Sequence, residues 1–316
     1  MDYRRLGKTE LQVSSLSFGA SSLGGVFREV DEVAAIEAVH TALDFGINYI
    51  DVAPAYGGTR AETVLGKALE GIPRERYFLS TKVGKYTDPD NYGRDEFDYS
   101  RERIRRSLTE SMQRLGVDHL DIVHLHDFDY QGQVHADAAL GEGFQALEEL
   151  RAEGRVGAVG AGIYAMDLWK RVLTEADVDV VLIHNHYTLC DIRLWELLPL
   201  AARRDIGVIN ASPFGSGLLT GREPPAWHPA SEAERAIFKQ AAAFCAEQGV
   251  PLPRLALQFS SQHPDVPTTM FSSASPESVR RNLAWAQEPY DPVLVAQVQR
   301  ILEPVMNRQW RYSARG

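Results

Sequence analysis

Short apolar runs alternate with amphipathic stretches along nearly the whole chain. The runs fall at residues 16–19, 48–52, 77–83, 120–125, 156–159, 179–183, 207–210 and 266–271, each of strand length. Between them the apolar positions change to a spacing of three and four: Val33, Ile36, Val39 and Leu43; Ile104, Leu108, Met112 and Leu115; Leu140, Phe144, Leu147 and Leu150. That period places them on one face of a helix. The pattern predicts helices over 31–45 and 61–69, two more through 104–115 and 140–150, then 167–175, 194–204, 232–248, 254–262, 276–286 and 292–302. Gly46, Gly116 and Gly154 stand where helices would close in a left-handed C-terminal residue. Residues 2–13 alternate polar and apolar around Gly7, which predicts a hairpin able to plug one end of the main fold.

Eight strands alternating with helices imply an α/β protein, a (β/α)8 TIM barrel with an N-terminal hairpin and an extra C-terminal helix. An open doubly wound sheet fits less well, because the first strand-to-helix turn lacks GxGxxG. No Pro/Ser-rich run, charge block or low-complexity tract interrupts the chain, so the expectation is one barrel domain over 1–316.

Composition narrows the function classes. With 44% hydrophobic residues the chain can fill one large core, and its net charge of −10 speaks against a nucleic-acid or anionic-membrane partner. The first 14 residues carry no apolar run and no stretch reaches membrane-spanning length. A soluble, cytoplasmic protein is therefore expected. The two cysteines, Cys190 and Cys245, form no CxxC pair and read as reduced core thiols.

In a parallel barrel the chemistry sits at the carboxyl ends of the strands. Asp51 ends the second run, Tyr56 follows it, Lys82 ends the third and His126 the fourth. An ammonium after Tyr77-Phe78-Leu79 needs a carboxylate partner, and Asp51 on the adjacent strand can supply it. The cation is expected to lower the Tyr56 phenol from its ordinary value of about 10. Each residue alone has a bland explanation: a capping Asp, a turn Tyr, a snorkelling Lys, a core His. Four such coincidences on one rim are far less common than one. A rival class is a metal-dependent barrel hydrolase, suggested by the HxH pairs His124/His126 and His184/His186. Its ligand set is incomplete, since no HxH ends the first strand and the eighth offers only Asp265; alternation also places His124 deeper in the barrel. A third class is a non-catalytic barrel retaining cofactor as a sensor.

Asp51, Tyr56, Lys82 and His126, in this order, resemble the catalytic tetrad of the aldo-keto reductases, and the resemblance runs over essentially the whole chain. RRLGKTELQVSSLSFGAS at the start, GINYIDVAPAYGG and SPFGSGLLTG all look like that family. ASSLGGVFREV, PPAWHPAS and ILEPVMNRQW resemble segments of its L-galactose dehydrogenase branch.

The resemblance implies a nicotinamide dinucleotide across the barrel mouth. Its pyrophosphate would lie along Ser212, Phe214, Ser216 and Leu218, and its adenosine against Ser272, Ser273, Ser278, Arg281 and Asn282. Departures from the family pattern fall around the nicotinamide. Gly160-Ala161-Gly162-Ile163-Tyr164 replaces a Ser-Asn pair, His184 stands for a Gln, and Ala211 for a stacking aromatic. Gly162 and His184 thus become the candidate carboxamide contacts. Neutral Ser272 and Ser278, where cations hold a 2′-phosphate in NADP-preferring relatives, favour NAD with NADP possible; Arg281 is the cation that would reverse this. The implied activity is oxidation of C1 of L-galactose, or a related aldose such as L-fucose, to the lactone. The alternative is a broad aldehyde or ketone reductase using NADPH. The partner is a small sugar; oligomeric state is not readable.

Overall fold

In the computed structural model, which describes residues 1–26, 29–87, 95–224 and 226–310, the eight runs form a closed barrel of parallel strands. These are β1 (Leu16–Gly19), β2 (Tyr49–Asp51), β3 (Phe78–Val83), β4 (Leu120–His126), β5 (Val156–Ile163), β6 (Val180–His184), β7 (Gly207–Ala211) and β8 (Thr268–Ser272). Neighbours in sequence are neighbours in space, and β8 closes on β1 with Ser272 beside Gly19. That order follows from the connections, because each intervening helix returns the chain to the start of the next parallel strand.

Alternation along the strands sorts the side chains into two cores. Outward-facing Phe18, Ile50, Leu79, Val123 and Leu125 pack against the helices, while Tyr49, Ile122, Val180, Leu182, Ile209 and Met270 fill the barrel. His124, between Ile122 and His126 on the same face of β4, lies inside, fully buried. Its neighbour Gly160 is required there, since a Cβ would come within 2.3 Å of the His124 Nδ1.

The expected hairpin is present as Tyr3–Arg5 paired with Gln12–Ser14. Leu6 and Val13 are fully buried in the barrel cluster, and Asn48 Oδ1 accepts the Ser14 N–H at 2.7 Å. Burying each such side chain stabilises by roughly 1.5–3 kcal/mol, enough to keep this end closed. The site must therefore open at the other end.

The helices begin where capping side chains stand. Asp31 accepts from Ala34 N ahead of Glu32–Asp44, Ser100 from Arg103 N ahead of Arg101–Leu115, and Ser231 with Glu234 makes a reciprocal box ahead of Glu232–Glu247. Gly116 closes the second of these in the left-handed conformation. The expected final helix is Pro292–Leu302.

Several expectations need correction. β5 runs four residues past 159, so Gly160 and Gly162 are barrel positions and not loop positions. The helix expected through 140–150 is a π turn, Ala139–Gly143, followed by Phe144–Ala152. Between β7 and the helix at Glu232–Glu247 lies a 3-10 segment, Gly215–Thr220. Unanticipated were an antiparallel pair after β3, Lys85–Thr87 with Asp95–Phe97, and short helical turns at Tyr130–Gln133 and Ala136–Ala138 after β4. All are too short to show a hydrophobic period. No described helix is long and apolar enough to cross a membrane. Cys190 and Cys245 are buried free thiols, pushed up by burial to about 12 and about 11.

Candidate active site

Three neighbouring strands carry the candidate residues to one rim. β2 ends on Asp51, paired with Ser80 of β3; Lys82 lies two residues further along β3; and His126 ends β4 opposite Gly162 of β5. Tyr56 arrives from the turn after β2. That turn is seated by the first βα loop, since a Cβ on Gly57, at φ +65°, would meet Gly24 O at 2.1 Å.

The four expected residues come together. The Lys82 ammonium forms an ion pair with Asp51 Oδ2 and donates to Val52 O at 3.0 Å, with both side chains almost wholly buried. Ser80 Oγ donates to Asp51 Oδ1 at 2.7 Å, and the Tyr49 hydroxyl sits 2.9 Å from Ser80 Oγ. A buried carboxylate with this many donors is fixed in place. The ammonium lies 4.7 Å from the Tyr56 ring centroid, and the Tyr56 and His126 rings meet edge to face at 5.8 Å.

The electrostatics differ from the sequence expectation at one point. Burial drives the Tyr56 phenol above its ordinary value, and Lys82, though it pulls down, does not win. The reason is dielectric: with Asp51 neutralising much of the cation, desolvation dominates. Lys82 is itself desolvated, yet Asp51 and Tyr56 together raise it, so it stays charged. Burial holds His126 down to about 3 despite the opposing Asp127, with Lys82 and Lys85 adding to the shift. At neutral pH the imidazole is therefore neutral and the phenol protonated.

Asp127, Lys85, Tyr99 and Asp129 were not among the site residues singled out from the sequence. Asp127 is buried beside His126, its Oδ2 3.7 Å from His126 Nε2 and 2.8 Å from Lys85 Nζ. The Tyr99 hydroxyl donates to His126 O at 2.6 Å, fixing the end of β4. Asp129 accepts the Tyr164 and Ala165 N–H groups at 2.9 and 2.8 Å. The sole sequence signal was the run His126-Asp127-Phe128-Asp129, acidic residues crowded against an apolar strand.

The remaining candidates lie round the mouth. Gly162 is buried at the end of β5, its carbonyl accepting from Asp127 N at 2.9 Å, and a Cβ there would meet Lys82 Cε only at 3.9 Å. His184 ends β6, stacked on Tyr164 at 5.2 Å and lowered by burial to about 4. Beyond β7, Ser212, Gly215, Ser216 and Gly217 all take positive φ, and Asn185 Nδ2 donates to Ser216 Oγ at 2.8 Å. Such turns expose consecutive N–H groups of the kind that bind anions. Phe214 is half-buried and Leu218 buried.

After β8, Ser272 Oγ is committed to the first βα loop, accepting from Ser22 N at 2.9 Å and bonding Ser22 Oγ at 2.7 Å and Ser21 Oγ at 3.1 Å. Ser273 and Ser275 shape the turn into the helix Pro276–Ala286, whose N-terminus Ser275 caps through Ser278 N. Arg281 Nη2 donates to Ser278 Oγ at 3.1 Å, its guanidinium lies 5.2 Å from the Trp285 ring, and its buried Nε has no hydrogen-bond partner among the described residues. Asn282 is buried.

The histidine pairs do not converge. His186 Nε2 bonds Tyr164 O at 2.6 Å and Nδ1 faces Asp191 at 3.3 Å, while His124 is inside the barrel. Among the described residues no three His, Cys, Asp or Glu side chains gather as a metal site.

A parallel barrel with a buried lysine–aspartate pair under a phenol and an imidazole, all on the carboxyl rim, is the construction of a barrel oxidoreductase. The chain matches the aldo/keto reductase family over residues 15–303 and belongs to it. It is 38% identical to the L-galactose dehydrogenase of Arabidopsis thaliana, over 98% of this chain and 97% of that one. It is 34% identical to a D-threo-aldose 1-dehydrogenase of a Pseudomonas species, over 87% and 90% of the two chains. Among solved structures, an aldo-keto reductase of Bacillus halodurans in its holo form superposes with a TM-score of 0.78 at 27% identity, each chain covered in full.

Proposed function

We propose that this enzyme oxidises C1 of an aldose, L-galactose or a close relative such as L-fucose, to the lactone, with NAD as the hydride acceptor. The observation that carries this reading is the convergence of Tyr56, Lys82, Asp51 and His126 on one rim, in a chain whose relatives include two named aldose dehydrogenases.

The surroundings suit a nicotinamide dinucleotide. The positive-φ turns at Ser212–Ser216 present amides, the capped start of Pro276–Ala286 adds a helix N-terminus, and Arg281 Nε is a buried donor without an acceptor among the described residues. When bound, the dinucleotide supplies the hydride chemistry.

The residues of the chain do the rest. Tyr56 exchanges the proton of the sugar's O1 hydroxyl, and Lys82 beside it keeps the phenol from rising beyond use. Asp51 orients and holds the charge of Lys82. Neutral His126 hydrogen-bonds the reacting oxygen, since an imidazole held down to about 3 carries no charge to repel a cationic ring. Ser278 can offer a ribose hydroxyl a neutral partner, while Ser272 Oγ is committed to Ser21 and Ser22; neither serine can offset a phosphate dianion, which favours NAD over NADP.

The test is a panel of L- and D-aldoses assayed with NAD and with NADP, with the product analysed as lactone. L-Galactose is expected to exceed D-glucose and D-galactose in kcat/KM, with NAD the better acceptor. Activity confined to simple aldehydes with NADPH would favour the general reductase instead.

A further inference from the structure

We infer that Asp127, held in place by Lys85, is the acceptor for a substrate hydroxyl and makes this site select polyhydroxylated aldehydes over plain ones. The inference rests on the aldose reading above and names a determinant of its specificity.

The geometry is unusual for a structural ion pair. Asp127 directly follows His126, takes a left-handed backbone at φ +53°, and donates its N–H to Gly162 O at 2.9 Å. Aspartate tolerates that conformation better than most non-glycine residues, and it persists where the surroundings over-determine it. Here the surroundings do so from three sides: Gly162 of β5, Tyr130 N donating to Asp127 O at 3.2 Å, and Lys85 Nζ at 2.8 Å. Lys85 is clamped in turn by Asp95 at 3.3 Å and by the Tyr130 ring at 4.2 Å.

A buried pair of this kind is not retained for stability alone, because well-packed apolar residues serve as well or better. Its position suggests what it does instead. Oδ2 lies 3.7 Å from His126 Nε2, so the carboxylate flanks the spot where His126 would hold the reacting oxygen. Oδ1 receives no hydrogen bond from any described residue. Lys85 outweighs burial and keeps the carboxyl well below its usual range, hence ionised and acceptor-only. An aldose brings a hydroxyl donor to that oxygen, whereas a plain aldehyde that displaces water from the mouth brings none and leaves the carboxylate short of a partner. Sites built to bond a substrate hydroxyl can reject an analogue lacking it by up to about 10⁴- to 10⁵-fold.

The experiment compares kcat/KM for L-galactose oxidation with kcat/KM for butanal reduction in wild type, Asp127→Asn and Lys85→Met. The sugar-to-aldehyde ratio is expected to fall at least about tenfold in Asp127→Asn, through KM for the sugar more than through kcat, and by less in Lys85→Met. A purely structural role would lower both activities together and leave the ratio unchanged, which would overturn the inference. Dinucleotide fluorescence titration reports whether each variant is folded; if Asp127→Asn is not, the ratio in Lys85→Met decides alone. A wild type that oxidises no aldose overturns the functional reading and this inference with it. Sugar oxidation with an unchanged ratio overturns this inference only.

Discussion

Two lysine–aspartate pairs stand three residues apart at the mouth of this barrel, and they are built differently. Lys82 and Asp51 sit on adjacent parallel strands with side-chain exposures of 1% and 3%, so register alone brings them together. Lys85 and Asp127 leave the barrel on two loops, with exposures of 11% and 9%, and depend on a left-handed residue and a short antiparallel pair to meet. The strand-borne pair faces the phenol; the loop-borne pair flanks the imidazole. On the proposed reading, a scaffold that fixes one cation rigidly under the phenol, and hangs a second on replaceable loops, would separate the chemistry from the choice of substrate.

The largest effect should come from the group that the inner pair serves. Tyr56→Phe is expected to lower turnover by about 10²- to 10⁴-fold while dinucleotide affinity, read by fluorescence quenching, stays close to wild type. Near-normal turnover would remove Tyr56 from proton transfer and leave the inner pair without a purpose.

Next in size is the contrast in stability. Lys82→Met strands the Asp51 carboxylate in the barrel and should cost about 3–5 kcal/mol in denaturant unfolding. Lys85→Met should cost less, since its partner is nearer water. Equal losses would mean that the two pairs are energetically alike.

Acid acts on the same rim. His126 and His184, held down to about 3 and about 4, are neutral when folded but protonate near 6.5 when unfolded. The unfolded state therefore binds more protons below pH 6.5, and each histidine removes roughly 1.4 kcal/mol per pH unit down to its folded value. Asp129, raised to about 6 by burial and by Asp127, works in the opposite sense, favouring the folded state as pH falls through 6. His124, His228 and His263 are also held down by burial, so the melting temperature should drop between pH 6.5 and 5, and His184→Gln should lessen the drop without abolishing it. A flat profile in wild type would contradict this balance.

The smallest effect concerns the dinucleotide. Arg281→Ala should weaken NADP more than NAD by several-fold in Kd, because its guanidinium bonds Ser278 Oγ through Nη2 and keeps Nε unbonded among the described residues, and Ser272→Lys should narrow the gap between the two cofactors. Ser272→Lys also breaks the bonds to Ser21 and Ser22, so its measurement needs a thermal-shift control. Strong preference for NADP in wild type, lost in Arg281→Ala, would reverse the cofactor reading.

What was legible in the sequence tracks periodicity. The eight strands, the plugging hairpin and the meeting of Asp51 with Lys82 all follow from period-two and period-3.6 patterns, since strand register is set by which face is apolar. The outer pair was not legible. Lys85 and Asp127 are 42 residues apart, lie on segments too short for any period, and meet through a left-handed residue whose position no pattern marks. The phenol's direction also escaped, because a neighbouring cation is visible in the sequence and the depth of burial opposing it is not.

The division of labour between the pairs is tested most directly by the pH dependence of kcat for sugar oxidation in wild type, Lys82→Met and Lys85→Met. Only Lys82→Met should displace the Tyr56 limb upward, because only Lys82 lies against that phenol; Lys85→Met should keep the wild-type limb while its KM for the sugar rises. An upward displacement in both variants, or in neither, would contradict the account.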